Sequence, residues 1–298
     1  MTNPFFNKFF LTELTMFDHS SAQADYPKIS IVMPSYNKVN FIEKSILSVL
    51  NQGYPSIELI IIDGGSTDGT LDIIRKYEKF ISFWVSEKDK GQSDALNKGF
   101  KKCTGSIYGF LNSDDIYLPG AFKCCTKALS QNSDKKIVFG DWLSIDNKDN
   151  LIDYNHAFDF NLNHFKYEGF HLNAQSMFWR SDIHKKFSGF DINLNFTMDY
   201  QLILEFGIIA GQNTFFRVSE VLGAFRRYDG QKTTDNMTLN VINEHILMSN
   251  KYNYRDKYNL IGSFKRLLYR ARRAWWYKKR GGILNLINRL KKFYANKV

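Results

Sequence analysis

Cysteine is scarce. Cys103, Cys124 and Cys125 are the three in 298 residues, and none forms a CxxC pair. Three thiols cannot build a disulfide framework, and without paired spacing they do not suggest zinc, so a reducing compartment is the simplest setting. Long apolar runs are missing too: no stretch approaches the roughly 18–20 uninterrupted apolar residues of a membrane span. The opening MTNPFFNKFFLTELTMFDHSS lacks the charged start, clean apolar run and small-residue cleavage site of a signal peptide. The body is therefore expected to stay on the side of the membrane where it is made. Two phosphate-binding signatures are absent: there is no GxxxxGK[ST] loop, and Gly64, Gly65 and Gly69 do not fit GxGxxG. Acid is nearly absent from the end of the chain. Residues 251–298 carry 15 Lys/Arg against Asp256 alone, a net of +14, while the preceding 250 residues carry 25 Lys/Arg against 29 Asp/Glu. The overall charge of +10 thus divides into a mildly acidic body and a basic tail.

What remains is rich in core material. A hydrophobic fraction of 44% and an aromatic fraction of 16% exclude wholesale disorder, and the length suits one large α/β domain with an appendage. From Lys28 onward short β-branched runs alternate with longer amphipathic stretches, the pattern of βαβ units and a largely parallel sheet. Ile29 to Met33 reads as a strand ended by Pro34, Phe41 to Leu50 as a helix, and Glu58 to Asp63 as a buried strand. A helix capped by Thr67 or Asp68 follows, with Leu71, Ile74 and Tyr77 inward. Then come a strand at Phe83 to Ser86, a helix at Ser93 to Lys102 and a strand at Ser106 to Leu111. Beyond these, Pro119 to Ser130 reads as a helix, Lys136 to Gly140 and Trp142 to Ile145 as strands, and Asp199 to Ile209 as a helix. There is no internal repeat, and the one composition break falls near residue 250.

Open α/β sheets bind ligands beyond the carboxyl ends of their strands. Four polar turns lie there: PSYN (34–37), DGGSTDGT (63–70), SEKDKGQSDALNKG (86–99) and NSDD (112–115). Their convergence would make an acidic, glycine-lined pocket. Asp114 and Asp115 together are costly to desolvate unless a cation lies between them and a ligand, and hard oxygen ligands favour Mg2+ or Mn2+. The same pair could simply open the next helix. Asp63 before Gly-Gly reads as a turn, although an aspartate is also the group that accepts the N–H of a uracil ring.

These four blocks, in this order and spacing, resemble the nucleotide-binding half of a family 2 glycosyltransferase with the GT-A fold, of the bacterial polysaccharide type. The likeness is specific from about Lys28 to Ser130 and weaker to about Thr234. It implies a mixed, mostly parallel sheet flanked by helices, with a nucleotide-binding half (28–130) and an acceptor half (131–250); charge and periodicity set off an N-terminal extension (1–27) and a basic amphipathic helical tail (251–298). By that resemblance Pro34, Ser35 and Tyr36 line a uridine pocket and Asp63 reads the uracil edge. Asp89, Gly91, Asp94, Asn97 and Gly99 match the segment that closes over base and pyrophosphate. In NSDD, Asn112 and Ser113 belong to the donor site, Asp114 lies near the ribose or sugar and beside the metal, and Asp115 is the main metal ligand. Asn112 stands where the family more often has Asp.

Asp199, in FTMDYQL (196–202), matches the family's general base; without the upstream blocks it would be a first-turn residue favoured by the helix dipole. HLNAQSMFWR (171–180) resembles an acceptor-side strand, with two extra residues between His171 and Gln175 that take His171 off the familiar place, where a lone His reads as structural. GAFRRYDGQKT (223–233) resembles a loop closing on the pyrophosphate, where a His commonly follows the Arg; Tyr228 replaces it. Arg226 or Arg227 could meet phosphates or be solvated. QxxRW, the mark of the family's processive synthases, is absent, which implies a single addition. In-line attack on an α-linked nucleotide sugar would give a β-glycoside.

In the tail, Leu260, Ile261, Phe264, Leu267, Leu268, Ala271 and Trp275 fall on one helical face and Lys265, Arg266, Arg270, Arg272 and Arg273 on the other. Gly281-Gly282 is expected to break the helix before a second amphipathic stretch, Ile283 to Phe293. Such helices lie on anionic membranes, or pack on an acidic body. A cytoplasmic enzyme held at the inner face of the cell membrane, acting on a lipid-linked or surface-glycan acceptor, is the expectation. Two rivals are a nucleic-acid binder using the basic tail, disfavoured by the acidic turns, and a nucleotide-sugar-binding module without turnover.

Overall fold

The computed structural model describes residues 13–14, 26–169, 172–232, 237–254 and 260–295. Among these residues the sheet has nine strands in the order β3-β2-β1-β4-β8-β6-β9-β5, numbered along the chain with the ranges given below, and β7 pairs with β6. The first four are β1 (Ile29–Ser35), β2 (Ile57–Asp63), β3 (Phe83–Ser86) and β4 (Ile107–Phe110), joined by helices α1 (Ile42–Leu50), α2 (Thr70–Lys76) and α3 (Gln92–Phe100). All pairings among them are parallel. Strand residues alternate between two buried faces, as a sheet covered on both sides requires. Ile29, Ile31 and Met33 join the core under α1, α2 and the later helix at 121–131, while Val32 joins the one containing Leu96 of α3. The α3 helix presses close on β1 at Gly99, where a β-carbon would come within 2.3 Å of the Val32 side chain.

The second half completes the sheet with β5 (Ile116–Tyr117), β6 (Ile137–Ile145), β7 (Leu151–Asn155), β8 (Met177–Arg180) and β9 (Phe215–Arg226). Its helices are α4 (Ala121–Gln131), α5 (Leu162–Glu168), α6 (Ser181–His184), α7 (Met198–Ile209), α8 (Met237–Lys251) and α9 (Leu260–Ala295). Here β8 runs antiparallel to β4 and β6, and β9 parallel to β6.

Several sequence expectations change. The first strand does not end at Pro34 but runs on to Ser35. Pairing with β4 stops at Val32, so the proline sits where β1 has β2 as its remaining neighbour and its missing N–H breaks no ladder. The two strands expected at 136–140 and 142–145 are one, β6, which starts at Ile137 and has irregular register to β9 around Asp141. GAFR, expected in a loop, is the end of β9. The α7 helix is not amphipathic: residues 200–207 are all buried. Most directly, Gly281-Gly282 does not break the tail, because α9 runs through it without interruption. Glycine weakens a helix by only about 1 kcal/mol per residue, which neighbouring turns can absorb. No helix among the described residues is long and apolar enough to cross a membrane.

Candidate active site

Because β1 to β4 are parallel, their carboxyl ends open on one edge of the sheet. The turns that follow line a cavity of about 1020 Å³, whose wall includes Ser35, Tyr36, Asp89, Asn112, Asp114 and Asp199. Pro34, Gly91 and Ser113 also border it. Tyr36 is exposed at the rim, so its ring is open to stacking. Gly91 begins α3 with φ 103°, a left-handed backbone that favours glycine.

The expected carboxylates divide into those that face the cavity and those that build it. Asp63 is wholly buried and does not border the cavity. Its Oδ2 accepts the Gly65 and Ser66 N–H groups and the Ser86 hydroxyl, and its Oδ1 accepts the Ser66 hydroxyl at 2.5 Å. Those bonds are the turn expected of Asp-Gly-Gly. Asp89 does face the cavity, directly over Gly64: a β-carbon there would meet its carboxylate at 2.8 Å. Burial pushes the Asp89 carboxyl above its ordinary range. Asp94 instead turns outward to the Lys90 N–H and the Lys98 ammonium. Asn97 clamps the backbone of Phe190 through both ends of its amide.

The Asp114-Asp115 pair is likewise divided. Asp115 is fully buried behind the cavity wall, where its Oδ1 accepts the Arg226 N–H at 2.9 Å and its Oδ2 the Asn112 amide at 3.1 Å. Burial, followed by the neighbouring Asp114 charge, holds its carboxyl well above the usual range. The expectation of Asp115 as main metal ligand therefore meets a geometric obstacle. Asp114 faces the cavity, and its Oδ2 accepts the Tyr228 hydroxyl at 2.7 Å and lies 3.0 Å from the Lys38 ammonium. Arg226 is fully buried too, with its guanidinium bonded to the Asp114 and Asp146 carbonyls and the Asp149 carboxylate. Of the Arg pair only Arg227 borders the cavity.

Asp199 stands in the first turn of α7 at the cavity wall, its Oδ1 accepting the Tyr200 N–H at 2.8 Å. Surrounding protein pushes its carboxyl up to about 6: desolvation dominates, and the Glu244 charge adds to it against the opposing Tyr200 N–H and Lys232 ammonium. Glu244, on α8, fixes the approach to that turn. It accepts the N–H groups of Asn195 and Phe196 and the Thr197 hydroxyl. Gln175 is buried on the same wall, and its side-chain nitrogen has no protein partner among the described residues. His171 lies outside the described residues.

Sequence reasoning missed Lys38, Glu244 and Lys232. Lys38 had a readable signal, since it follows PSYN directly: Asn37 adopts φ 50°, an αL conformation that Asn tolerates, and Lys38 enters the cavity. Glu244 had none, because nothing local ties α8 to a turn 47 residues earlier.

A sequence-family profile described as Glycosyl transferase family 2 matches residues 30–189. An uncharacterized glycosyltransferase of Rickettsia typhi is 31% identical over 231 residues, covering 74% of this chain and 69% of that protein. A putative teichuronic acid biosynthesis glycosyltransferase of Bacillus subtilis, TuaG, is 42% identical over 92 residues, 30% of this chain, and the match spans 36% of the Bacillus protein. Among solved structures, Staphylococcus aureus TarS 1–349 in complex with UDP-GlcNAc aligns with a TM-score of 0.56 at 16% identity, over 71% of this chain and 62% of that one. The mannosyltransferase PcManGT from Pyrobaculum calidifontis, in complex with GDP-Man and Mn2+, aligns with a TM-score of 0.56 at 14% identity, over 94% of this chain and 83% of that one.

Proposed function

Since this chain belongs to glycosyl transferase family 2 and has the GT-A fold, we propose that it moves one sugar from a uridine diphosphate sugar to a hydroxyl of a lipid-linked or surface-glycan acceptor, with inversion. The observation that carries this reading is the meeting of Asp89, Asp114, Asp199, Tyr36 and Arg227 in one cavity at the carboxyl edge of the parallel strands. TarS, solved with UDP-GlcNAc, supports the donor class, and TuaG supports a surface polysaccharide.

The residue roles follow from position and chemistry. Tyr36 offers a ring for the base and Asp89 a carboxylate for a base N–H. Arg227 contributes a charge that suits a diphosphate. Asp199 takes the proton from the acceptor hydroxyl as that oxygen attacks the anomeric carbon, and displacement from the face opposite the leaving diphosphate inverts the configuration. The Mg2+ or Mn2+ that the resemblance implies does not suit the residues present. Asp115 is walled off, Asn112 is neutral, and Asp114 is already engaged by an ammonium. Among the described residues no three His, Cys, Asp or Glu side chains are grouped to hold a metal.

A thermal-shift screen of nucleotide sugars tests the class: a uridine diphosphate sugar should raise the melting temperature, and indifference to every donor refutes the reading. The split of the carboxylates gives a second test. Asp63→Ala, which strands the donors of a buried turn, should cost about 3 kcal/mol of stability by denaturant unfolding. Asp89→Asn should cost no stability and weaken UDP binding about tenfold by calorimetry.

Residues 28–250 form the catalytic body on this reading, and 251–298 its attachment to an anionic membrane. The α9 helix supports that role in an unexpected way. Its basic side grips the body: Arg273 meets both Glu168 oxygens, at 2.7 and 2.9 Å, and Lys265 donates to the Tyr167 hydroxyl. Its apolar stripe faces outward, with Leu260 92%, Leu267 64% and Trp275 64% exposed. A helix that only covered the body would bury that stripe. Glu168 also borders the cavity, so α9 would bring the acceptor side of the site close to lipid. Arg272, Lys278 and Lys279 remain exposed to meet anionic headgroups. The double variant Leu267→Glu/Trp275→Glu should lower cosedimentation with phosphatidylglycerol vesicles by at least about tenfold while the melting temperature is unchanged. Undiminished sedimentation would refute the attachment.

A further inference from the structure

We infer that Lys38 is a built-in cation for the donor diphosphate, taking the place that the resemblance gives to a divalent ion. The inference rests on the proposed use of a nucleotide diphosphate donor and concerns how that donor's charge is met.

Three features around Asp114 point the same way. First, the ligand set is depleted: Asn112 replaces the family's usual Asp, and its amide is committed at both ends, accepting from Gln92 at 2.7 Å and donating to Asp115 at 3.1 Å. Second, both Asp115 oxygens are occupied by N–H donors inside the protein. A divalent ion would find Asp114 as its only carboxylate from the pair, with the rest of its shell left to water and the diphosphate. Third, the place next to Asp114 is filled. The Lys38 ammonium is 3.0 Å from Asp114 Oδ2 and 2.5 Å from the Tyr228 hydroxyl, and that phenol itself donates to Asp114. Tyr228 stands where the resemblance expects a His, and a protonated phenol is a poor metal ligand but a good partner for this carboxylate.

The triad Lys38–Asp114–Tyr228 also has the direction that binding a diphosphate requires. An ammonium has three N–H donors; two are used by Asp114 and Tyr228, and the third has no protein partner among the described residues. Lys38 borders the cavity together with Ser35 and Arg227. Asp114 would then act as a positioning residue: it holds the ammonium in place, so no charge need be recruited or dehydrated when the donor arrives. Fixed donors of this kind stabilise charge without reorganising. Arg227, exposed on the same wall, would supply the second positive group.

Calorimetric binding of UDP to the full chain, in EDTA and in MnCl2, tests the inference, with uridine as the uncharged control. Wild type should bind UDP in EDTA, and Mn2+ should change the affinity by no more than about threefold. Lys38→Met should lose roughly 10- to 100-fold in UDP affinity, the worth of a charge-assisted contact, and keep its uridine affinity. Retained uridine binding also shows that the variant is folded. If the variant does not fold, the wild-type comparison decides alone. UDP binding that needs Mn2+, or a Lys38→Met variant that binds UDP as wild type does, overturns the role of Lys38 and leaves the transferase reading standing. Failure of wild type to bind UDP under either condition overturns both.

Discussion

Asp199→Asn should reduce kcat by about 10²- to 10⁴-fold, the usual contribution of a positioned general base, while UDP binding by calorimetry stays within about twofold of wild type. The split is the informative part. Asn keeps the shape and can still accept the Tyr200 N–H that orients the side chain, so only the proton-accepting function is removed. The pH profile gives an independent reading. A carboxyl raised to about 6 by its surroundings is lost as a base when pH falls through that value. Log kcat/KM should therefore climb with unit slope up to about pH 6 and flatten above it. An ordinary carboxylate would place the break near 4. The stability consequence has the opposite sign: between the ordinary value and about 6 the folded state holds a proton that the unfolded chain has released. Folding stability therefore falls as pH rises through that window. Removing the charge should make Asp199→Asn more stable than wild type above pH 6, by of order 1–2 kcal/mol. An inactive variant that is also destabilised would point instead to damage at the start of α7. Transfer retained in Asp199→Asn would remove the assignment of the base.

Much of this site could be read from the chain because parallel strands write their chemistry locally. Each of PSYN, DGGST, DKGQ and NSDD follows its own strand, and because those strands are parallel all four blocks fall on one edge of the sheet. The sequence did not say which carboxylate of a neighbouring pair turns inward. Asp114 and Asp115 are chemically alike and adjacent. Their separation depends on Arg226, 111 residues away, whose N–H takes one oxygen of Asp115. The same holds for Asp63 and Asp89: Ser66 and Ser86 close around the first, and the second borders the cavity. The orientation of the tail was not legible for a related reason. Amphipathic periodicity locates two faces but does not say which one meets the body. Buried Glu168, with Tyr167 against Lys265 and Tyr269, turns the basic face of α9 inward. Long-range pairing of single charges carries no local pattern, and these are the positions where local reasoning ends.

Arg226→Met should produce the largest loss of stability of any single change at the site, whereas Arg227→Met, one residue on, should produce almost none. Arg226 has no exposed surface. Its guanidinium donates to the Asp114 carbonyl at 2.8 Å, the Asp146 carbonyl at 2.9 Å and the Asp149 carboxylate at 2.6 Å, and its face lies 5.0 Å from the centre of the Phe41 ring. Asp149 is shared with Lys44, so the network ties the β6–β7 turn to α1 and to the end of β9. Removing one member of a buried charge network costs about 3–5 kcal/mol, because the partners stay desolvated. For a chain of this size that lowers the melting temperature by of order 10 °C. Donor binding should weaken with it, since the Arg226 side chain also holds the backbone carbonyl of Asp114, the residue that positions Lys38. Arg227 is exposed on the cavity wall and, among the described residues, makes only a backbone bond to Ile145. Its replacement should leave the melting temperature within about 2 °C and weaken UDP binding about tenfold, the cost of one exposed charge-assisted contact. Calorimetric melting and UDP titration of both variants separate the two roles. Equal losses of stability would mean that the pair acts as one structural unit, and equal stability in both would mean that the buried network contributes little to the fold.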